Sequence, residues 1–340
     1  RLLGTAAGFY EKLTKQQFAT GNTRTDLAVA WDRLARISRL TGRLEDAQQE
    51  FLKSQTLFEE IRAGDPEKND ELTRQLAAVT GTLALTQSEL ARGPEATQNF
   101  ERAMALEASL VASDPTNNGW RSQQASTLDN YAQLLERLGR AGEAERIYDQ
   151  VKAIRRELAD AFPDRDDYQS NLMQSDVNIG ALHARAGRLD QAAAALAEAI
   201  PIGEKLVQTQ PSNQDYRHAL AASLGNLAGV RLLQEDFAAA ESLYRRELEA
   251  RESLAARHPN NLDFRLQLGS SYTNLGELEF RRDQPAAALP WLSSAIKEFD
   301  WVLEREPRHT IGRFYQSYTL AYRAKALDAL GRSSEAVVDW

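Results

Sequence analysis

The stretch AERIYDQVKAIRRELADAFPDRDDY, residues 144–168, decides the fold. It opens on a small residue, Ala144, and places an aromatic, Tyr148, four residues later, which is about one helical turn. An amphipathic run follows and stops at Pro163, inside a polar loop that leads to Tyr168. Proline lacks an amide hydrogen and clashes with the preceding turn, so a helix ends there and a new one starts beyond it.

The same layout recurs along the chain. Loop prolines stand at Pro66, Pro115, Pro163, Pro211, Pro259 and Pro307, with successive differences of 49, 48, 48, 48 and 48. An alanine keeps step with them at Ala47, Ala96, Ala144, Ala192, Ala240, Ala288 and Ala336, the first six each 19 residues before the proline. Four residues after each alanine comes Phe51, Phe100, Tyr148, Leu196, Tyr244, Leu292 or Trp340. Upstream of Ala144, the residues Leu128, Tyr131, Leu134, Leu135 and Leu138 recur at three and four, the stripe of an amphipathic helix. Each unit therefore holds two helices, and the expected fold class is all-α, a right-handed α-solenoid of helix-turn-helix repeats.

The turn inside each unit carries Gly42, Gly139, Gly187 or Gly331, the residue type that accepts the left-handed conformation ending a helix. Glu235 and Asp283 hold that place in two units, which should be slightly less stable there. In the loops between units, Asp167, Asp215 and Asp263 are placed to cap the next helix. Connections of about 4 and 6 residues leave helices of roughly 17 and 20 residues. One such pair cannot bury both its faces, so stability comes from stacking neighbours. The recurring alanine marks the close crossing of the two helices in a pair.

These spacings give one array over residues 1–340. Residues 1–17 read as the tail of a preceding repeat, followed by repeats at about 23–71, 72–119, 120–167, 168–215, 216–263 and 264–311 and a truncated one at 312–340. A segment of a longer protein is the expectation.

Composition narrows the function. With 41 Lys and Arg against 49 Asp and Glu, the net charge is −8, the wrong sign for a protein that neutralises nucleic-acid phosphates. Cysteine is absent, which removes disulfides, thiolate metal sites and cysteine nucleophiles together. No apolar stretch reaches the length needed to span a bilayer. The expected setting is cytoplasmic, with no membrane insertion and no nucleic acid.

The residues quoted above resemble the tetratricopeptide repeat family, whose unit carries an aromatic and Leu-Gly in the first helix, then Ala, an aromatic and Ala in the second. Trp31, Leu34 and Ala35 with Ala47 and Phe51 fit this pattern. So do Ile179 and Gly180 with Ala192, Leu196 and Ala199, and Leu275 and Gly276 with Ala288, Leu292 and Ala295. The family's usual unit has about 34 residues, so 48 is an extended version. Extended units of this kind are similar to those of kinesin light chain and to the arrays that follow the catalytic domain in some bacterial serine/threonine protein kinases. The run from His258 to Arg265, followed by Asn274, Leu275 and Gly276, is the part most similar to those kinase tails. The resemblance implies a protein-binding scaffold, or a spacer or regulatory array contacting its own parent chain.

Asparagine occupies one phase of the first helix in four consecutive units, at Asn130, Asn178, Asn226 and Asn274. Arginine follows seven residues later at Arg137, Arg185 and Arg281, so Asn and Arg share a stripe facing away from the alanine crossing. The outer units have Arg33, Thr82 and Tyr322 there instead. A carboxamide can pair with the backbone of an extended peptide, and arginine can hold a carboxylate. The resemblance adds that asparagine at this place commonly binds peptide. The alternative is that a repeated unit kept a solvated Asn and Arg without a ligand.

Other candidates point to no chemistry. His183, His218, His258 and His309 contain no pair at helical metal-site spacing, so no metal or other cofactor is expected. Glu241 with Arg245, and Glu247 with Arg251, read as four-residue ion pairs on exposed helix faces. Phosphate-binding loops, metalloprotease, serine-hydrolase and kinase motifs are missing, so this segment is expected to have no enzymatic activity, whatever its parent does.

Overall fold

A computed structural model describes Tyr10, residues 21–64 and residues 70–339. Pro66, Trp340 and, apart from Tyr10, the 1–17 tail lie outside the described residues. Among the described residues there are fourteen α-helices and no strand. They form an α-solenoid of helix pairs divided into two compact units, Arg1–Ala161 and Phe162–Trp340.

The first unit contains α1 (Gly21–Leu40), α2 (Leu44–Ala63), α3 (Asp70–Glu89), α4 (Gly93–Ser113), α5 (Asn118–Arg137) and α6 (Ala141–Ala161). The second contains α7 (Asp166–Arg185), α8 (Leu189–Thr209), α9 (Gln214–Leu233), α10 (Phe237–Arg257), α11 (Leu262–Arg281), α12 (Pro285–Arg305), α13 (Thr310–Ala329) and α14 (Ser333–Asp339). Within each unit every helix packs on the next. First helices also touch the first helix of the following pair: α3 with α5 in the first unit, and α7 with α9, α9 with α11 and α11 with α13 in the second. Second helices make no comparable contact with one another, so in each unit the first helices form the inner row.

The first helices run 20 residues rather than the expected 17 or so. The reason lies in the turn, which takes only three residues, such as Leu138, Gly139 and Arg140. It closes with Gly139 N donating to Glu136 O at 2.9 Å and Arg140 N to Leu135 O at 2.8 Å. The middle residue is left-handed in all seven turns, at Gly42, Gly139, Gly187 and Gly331 but also at Glu235 and Asp283. Ala91 is a third non-glycine there, with φ 57°. Each costs about 1 kcal/mol relative to glycine.

The caps differ from the sequence expectation. Asn213 Oδ1 accepts from the backbone of Asp215 at 3.0 Å and Tyr216 at 3.4 Å, so Asp215 is capped rather than capping. Asn117 and Asn261 cap α5 and α11 in the same way, and His309 Nδ1 caps α13. The connection between repeats is four residues long, which pushes Asp167, Asp215 and Asp263 into the first turn and leaves Arg165, without a side-chain cap, and the capping Asn213 and Asn261 before them. There they face the positive end of the helix dipole.

The recurring alanines Ala47, Ala96, Ala144, Ala192, Ala240, Ala288 and Ala336 are fully buried. The next step of packing follows a rule of pairs. A Cβ on Gly180 would lie 2.5 Å from Leu196 Cγ, and one on Gly276 would lie 2.6 Å from Leu292 Cγ. Where the first helix has Ala35, Ala84, Ala132 or Ala228 instead, the partner is Phe51, Phe100, Tyr148 or Tyr244. A flat ring lies alongside a methyl group that a branched leucine would strike, which explains why either combination keeps the crossing close.

Candidate functional site

The second unit holds a cavity of about 630 Å³ on the inner row of helices. Its wall is one face of α9, marked by His218, Ala222, Gly225, Asn226, Gly229 and Leu233 at spacings of three and four. Gln267, Ser270 and Asn274 from α11 face them, Ile311 and Tyr315 from α13 extend one side, and Tyr244, Glu247 and Arg251 of α10 form the back. The space exists because α9 carries only small side chains in the middle of this stripe. Two glycines inside a helix cost roughly 0.5–1 kcal/mol each, so the opening is made against helix propensity.

Glu247 and Arg251 correct the sequence reading. Both are buried, each 5% exposed, and do not form a solvated surface pair. Helical phase explains this: they fall on the side of α10 that packs behind α9 and α11, where periodicity calls for apolar groups. The other expected pair, Glu241 with Arg245, is the partly exposed ion pair foreseen, at 2.8 Å.

The buried pair is held by a polar shell. Ser271 Oγ donates to Glu247 Oε1 at 3.0 Å. Arg251 donates through Nη1 to His218 Nδ1 at 3.0 Å and to Gln267 Oε1. A guanidinium only donates, so His218 accepts at Nδ1 and carries its proton on Nε2. Burial, and secondly the Arg251 charge, hold the His218 imidazole below its usual range, in keeping with that neutral form. Burial likewise raises the Glu247 carboxyl, opposed by Arg251, Ser271 and Asn274, and lowers the Arg251 guanidinium, opposed by Glu247. Gly225 is needed here: a Cβ on it would stand 2.8–2.9 Å from the Glu247 carboxylate, which lies flat against the helix backbone.

Of the predicted site residues, Asn226 and Asn274 line this one cavity. Asn178, on α7, lies outside it and accepts from Gln174 Nε2 at 2.8 Å. Arg185 is exposed at the end of α7 and Arg281 half-buried at the end of α11, neither on the cavity wall. Asn130 and Arg137 belong to the first unit, where Asn130 is half-buried and Arg137 donates to Ser88 Oγ. Sequence reasoning missed Glu247, Arg251, His218, Gln267 and the two glycines. The available signal was the departure of Glu247 from the repeat, where it aligns with Val151, Ala199 and Ala295, whereas Arg251 aligns with Phe58 and Phe299 but also with the buried Arg155.

An apolar rim borders the cavity. Leu233 and Ile311 on its wall are each 55% exposed, and Phe314, 64% exposed, lies beside the lining residue Tyr315. Phe314, Tyr318 and Tyr322 follow at i, i+4 and i+8 along α13, with Tyr318 and Tyr322 rings 5.0 Å apart. This is the phase that Leu266, Ser270 and Asn274 hold one unit earlier, so the inner face turns from polar to aromatic along the row.

Rows of helix pairs with such an inner face are the architecture of helical repeat scaffolds, whose concave surfaces bind other chains. Models of the tetratricopeptide repeat family match residues 124–164 and 174–198. No curated protein matches the sequence significantly. Among solved structures, the apo form of the quorum sensor NprR from B. thuringiensis is similar at TM-score 0.62 and 15% identity, covering 98% of this chain and 78% of that one. The apo form of RapI is similar at 0.61 and 10%, covering 92% and 74%. BtubC (BKLC) from P. vanneervenii is similar at 0.53 and 21%, covering 72% and 86%. At these identities the likeness is one of fold. Among the described residues no helix is long and apolar enough to cross a membrane.

Proposed function

We propose that this chain is a protein-interaction module that takes an extended peptide, or an extended segment of a partner, along the inner face of its first helices. The observation that carries this reading is the convergence of Asn226 and Asn274, one repeat apart, on a single cavity with an exposed apolar rim. Two carboxamides at that separation can each pair with a backbone amide of an extended strand, while Leu233, Ile311 and Phe314 receive its apolar side chains. Asn178 and Asn130, with Arg137, Arg185 and Arg281, are the further contacts for a longer partner.

The test is a random peptide display library selected on the full chain, with enriched peptides titrated against wild type and the Asn226→Ala, Asn274→Ala double variant. Two lost hydrogen bonds at about 1 kcal/mol each weaken binding on the order of tenfold or more. Unchanged affinity would show that the asparagines do not bind the peptide. Failure to enrich any peptide would favour a spacer or regulatory array.

A further inference from the structure

Two departures from the repeat meet on the inner face beside the cavity. The stripe formed by Leu266, Ser270 and Asn274 on α11 becomes Phe314, Tyr318 and Tyr322 on α13. Three residues after Asn274 stands Glu277, an acid where the other repeats have Arg36, Leu85, Gln133, Ala181, Gly229 and Lys325. Tyr318 Oη donates to Glu277 Oε2 at 2.9 Å, which joins the acid to the aromatic row. The Phe314 and Tyr318 rings lie 6.5 Å apart at 21°, and both are exposed. Among the described residues Glu277 has no ion-pair partner, although Arg281 stands one turn further along α11.

The class of occupant follows from this combination. A partner that covers Glu277 with apolar groups strands its charge, and an acidic one repels it. A basic side chain gains from both neighbours. Its methylene stem can lie on the Phe314 ring, while its charged head meets the negative face of the Tyr318 ring and the Glu277 carboxylate. The chain's own cations stand at the other end of the row: Lys325 Nζ lies 5.1 Å from the centre of the Tyr322 ring. Partial burial, then Tyr322 and Glu277, raise the Tyr318 phenol with no cation opposing them, whereas Arg281 opposes the rise that burial causes at Tyr322. Resting on the peptide-groove reading above, we propose that Phe314, Tyr318 and Glu277 form a seat for an arginine or lysine side chain of the bound peptide. With both rings exposed and Glu277 half-buried, the seat is reached from the groove without opening the core.

The test uses a random heptapeptide phage library selected on the full chain, followed by anisotropy titration of the enriched peptides and their single-site variants. A basic residue is expected at one fixed position, and changing it to Gln or Leu should weaken binding about tenfold, as for a hydrogen bond to a charged group. In Glu277→Gln, which keeps an acceptor for Tyr318, the basic and Gln forms of the peptide should bind within about twofold of each other. Glu277→Lys should reverse the preference, so that the Glu form of the peptide binds better than the basic form. Phe314→Ala, which removes the platform under the stem, should weaken the basic form about threefold. Peptides with no basic position fixed, or a basic preference that survives Glu277→Gln, overturn the seat while leaving the groove intact. No enriched peptide at all overturns the groove reading, and the seat with it.

Discussion

The pair α9/α10 and the pair α11/α12 share one framework 48 residues apart, yet their interiors differ. In α11/α12 the places of Glu247 and Arg251 hold Ala295 and Phe299, both fully buried in a cluster with Leu266 and Val302. The Phe299 ring lies against Gly269, where a Cβ would come within 2.6 Å, and stacks on Tyr315 at 6.1 Å. In α9/α10 the corresponding first-helix residue is Ala221, and the volume a phenylalanine would fill is given to a buried ion pair facing a cavity. One scaffold thus supports a dry core or a polar pocket, according to a few side chains. The polar version gives up packing energy, which the proposed binding would put to use.

The largest expected effect separates the two interiors. Phe299→Ala removes a fully buried ring and should cost about 3–5 kcal/mol in urea unfolding. Arg251→Met strands the Glu247 carboxylate and should cost a similar 3–5 kcal/mol, whereas adding Glu247→Leu to it should restore most of the loss, because an apolar pair of like volume is at least as stable as a buried ion pair. A double variant no more stable than the single one would mean that the pair holds the fold rather than the site.

A third residue at the same repeat position sharpens the comparison from the first unit. Glu107 aligns with Arg251 and Phe299, and burial pushes its carboxyl up to about 8, with Thr127 Oγ1 donating to it at 2.7 Å. It is therefore a neutral acid in the folded chain at pH 7. The folded state holds this proton while the unfolded state releases it from about pH 4.5 upward, so the contribution to stability is full below that pH and is lost as pH rises to about 8. The loss is on the order of a few kcal/mol. Unfolding of wild type and Glu107→Gln at pH 5 and pH 8 checks this: the difference between the two proteins should grow with pH in favour of the variant, and a constant difference would show that Glu107 is ionised throughout.

What the sequence disclosed follows from what repetition encodes. The alanine crossing, the large partner four residues on and the left-handed turn were readable because every unit must solve the same packing problem. The capping residues were misplaced because two candidates, Asn213 and Asp215, stand two residues apart, and only the loop length decides between them. The cavity was hidden for the opposite reason. It depends on departures from the repeat, and a Glu and an Arg four apart look the same in one dimension whether they are solvated, as Glu241 and Arg245 are, or buried, as Glu247 and Arg251 are. Asn226 and Asn274 stood out in the sequence because their position does repeat.

The most direct test grafts one interior onto the other. Ala221→Gly, Glu247→Ala and Arg251→Phe together give α9/α10 the residues of its neighbour, and melting temperature and peptide affinity are then measured on the same samples. The melting temperature should hold or rise while binding of the selected peptide is lost. Binding that survives with the cavity filled would contradict the assignment of function to this pocket.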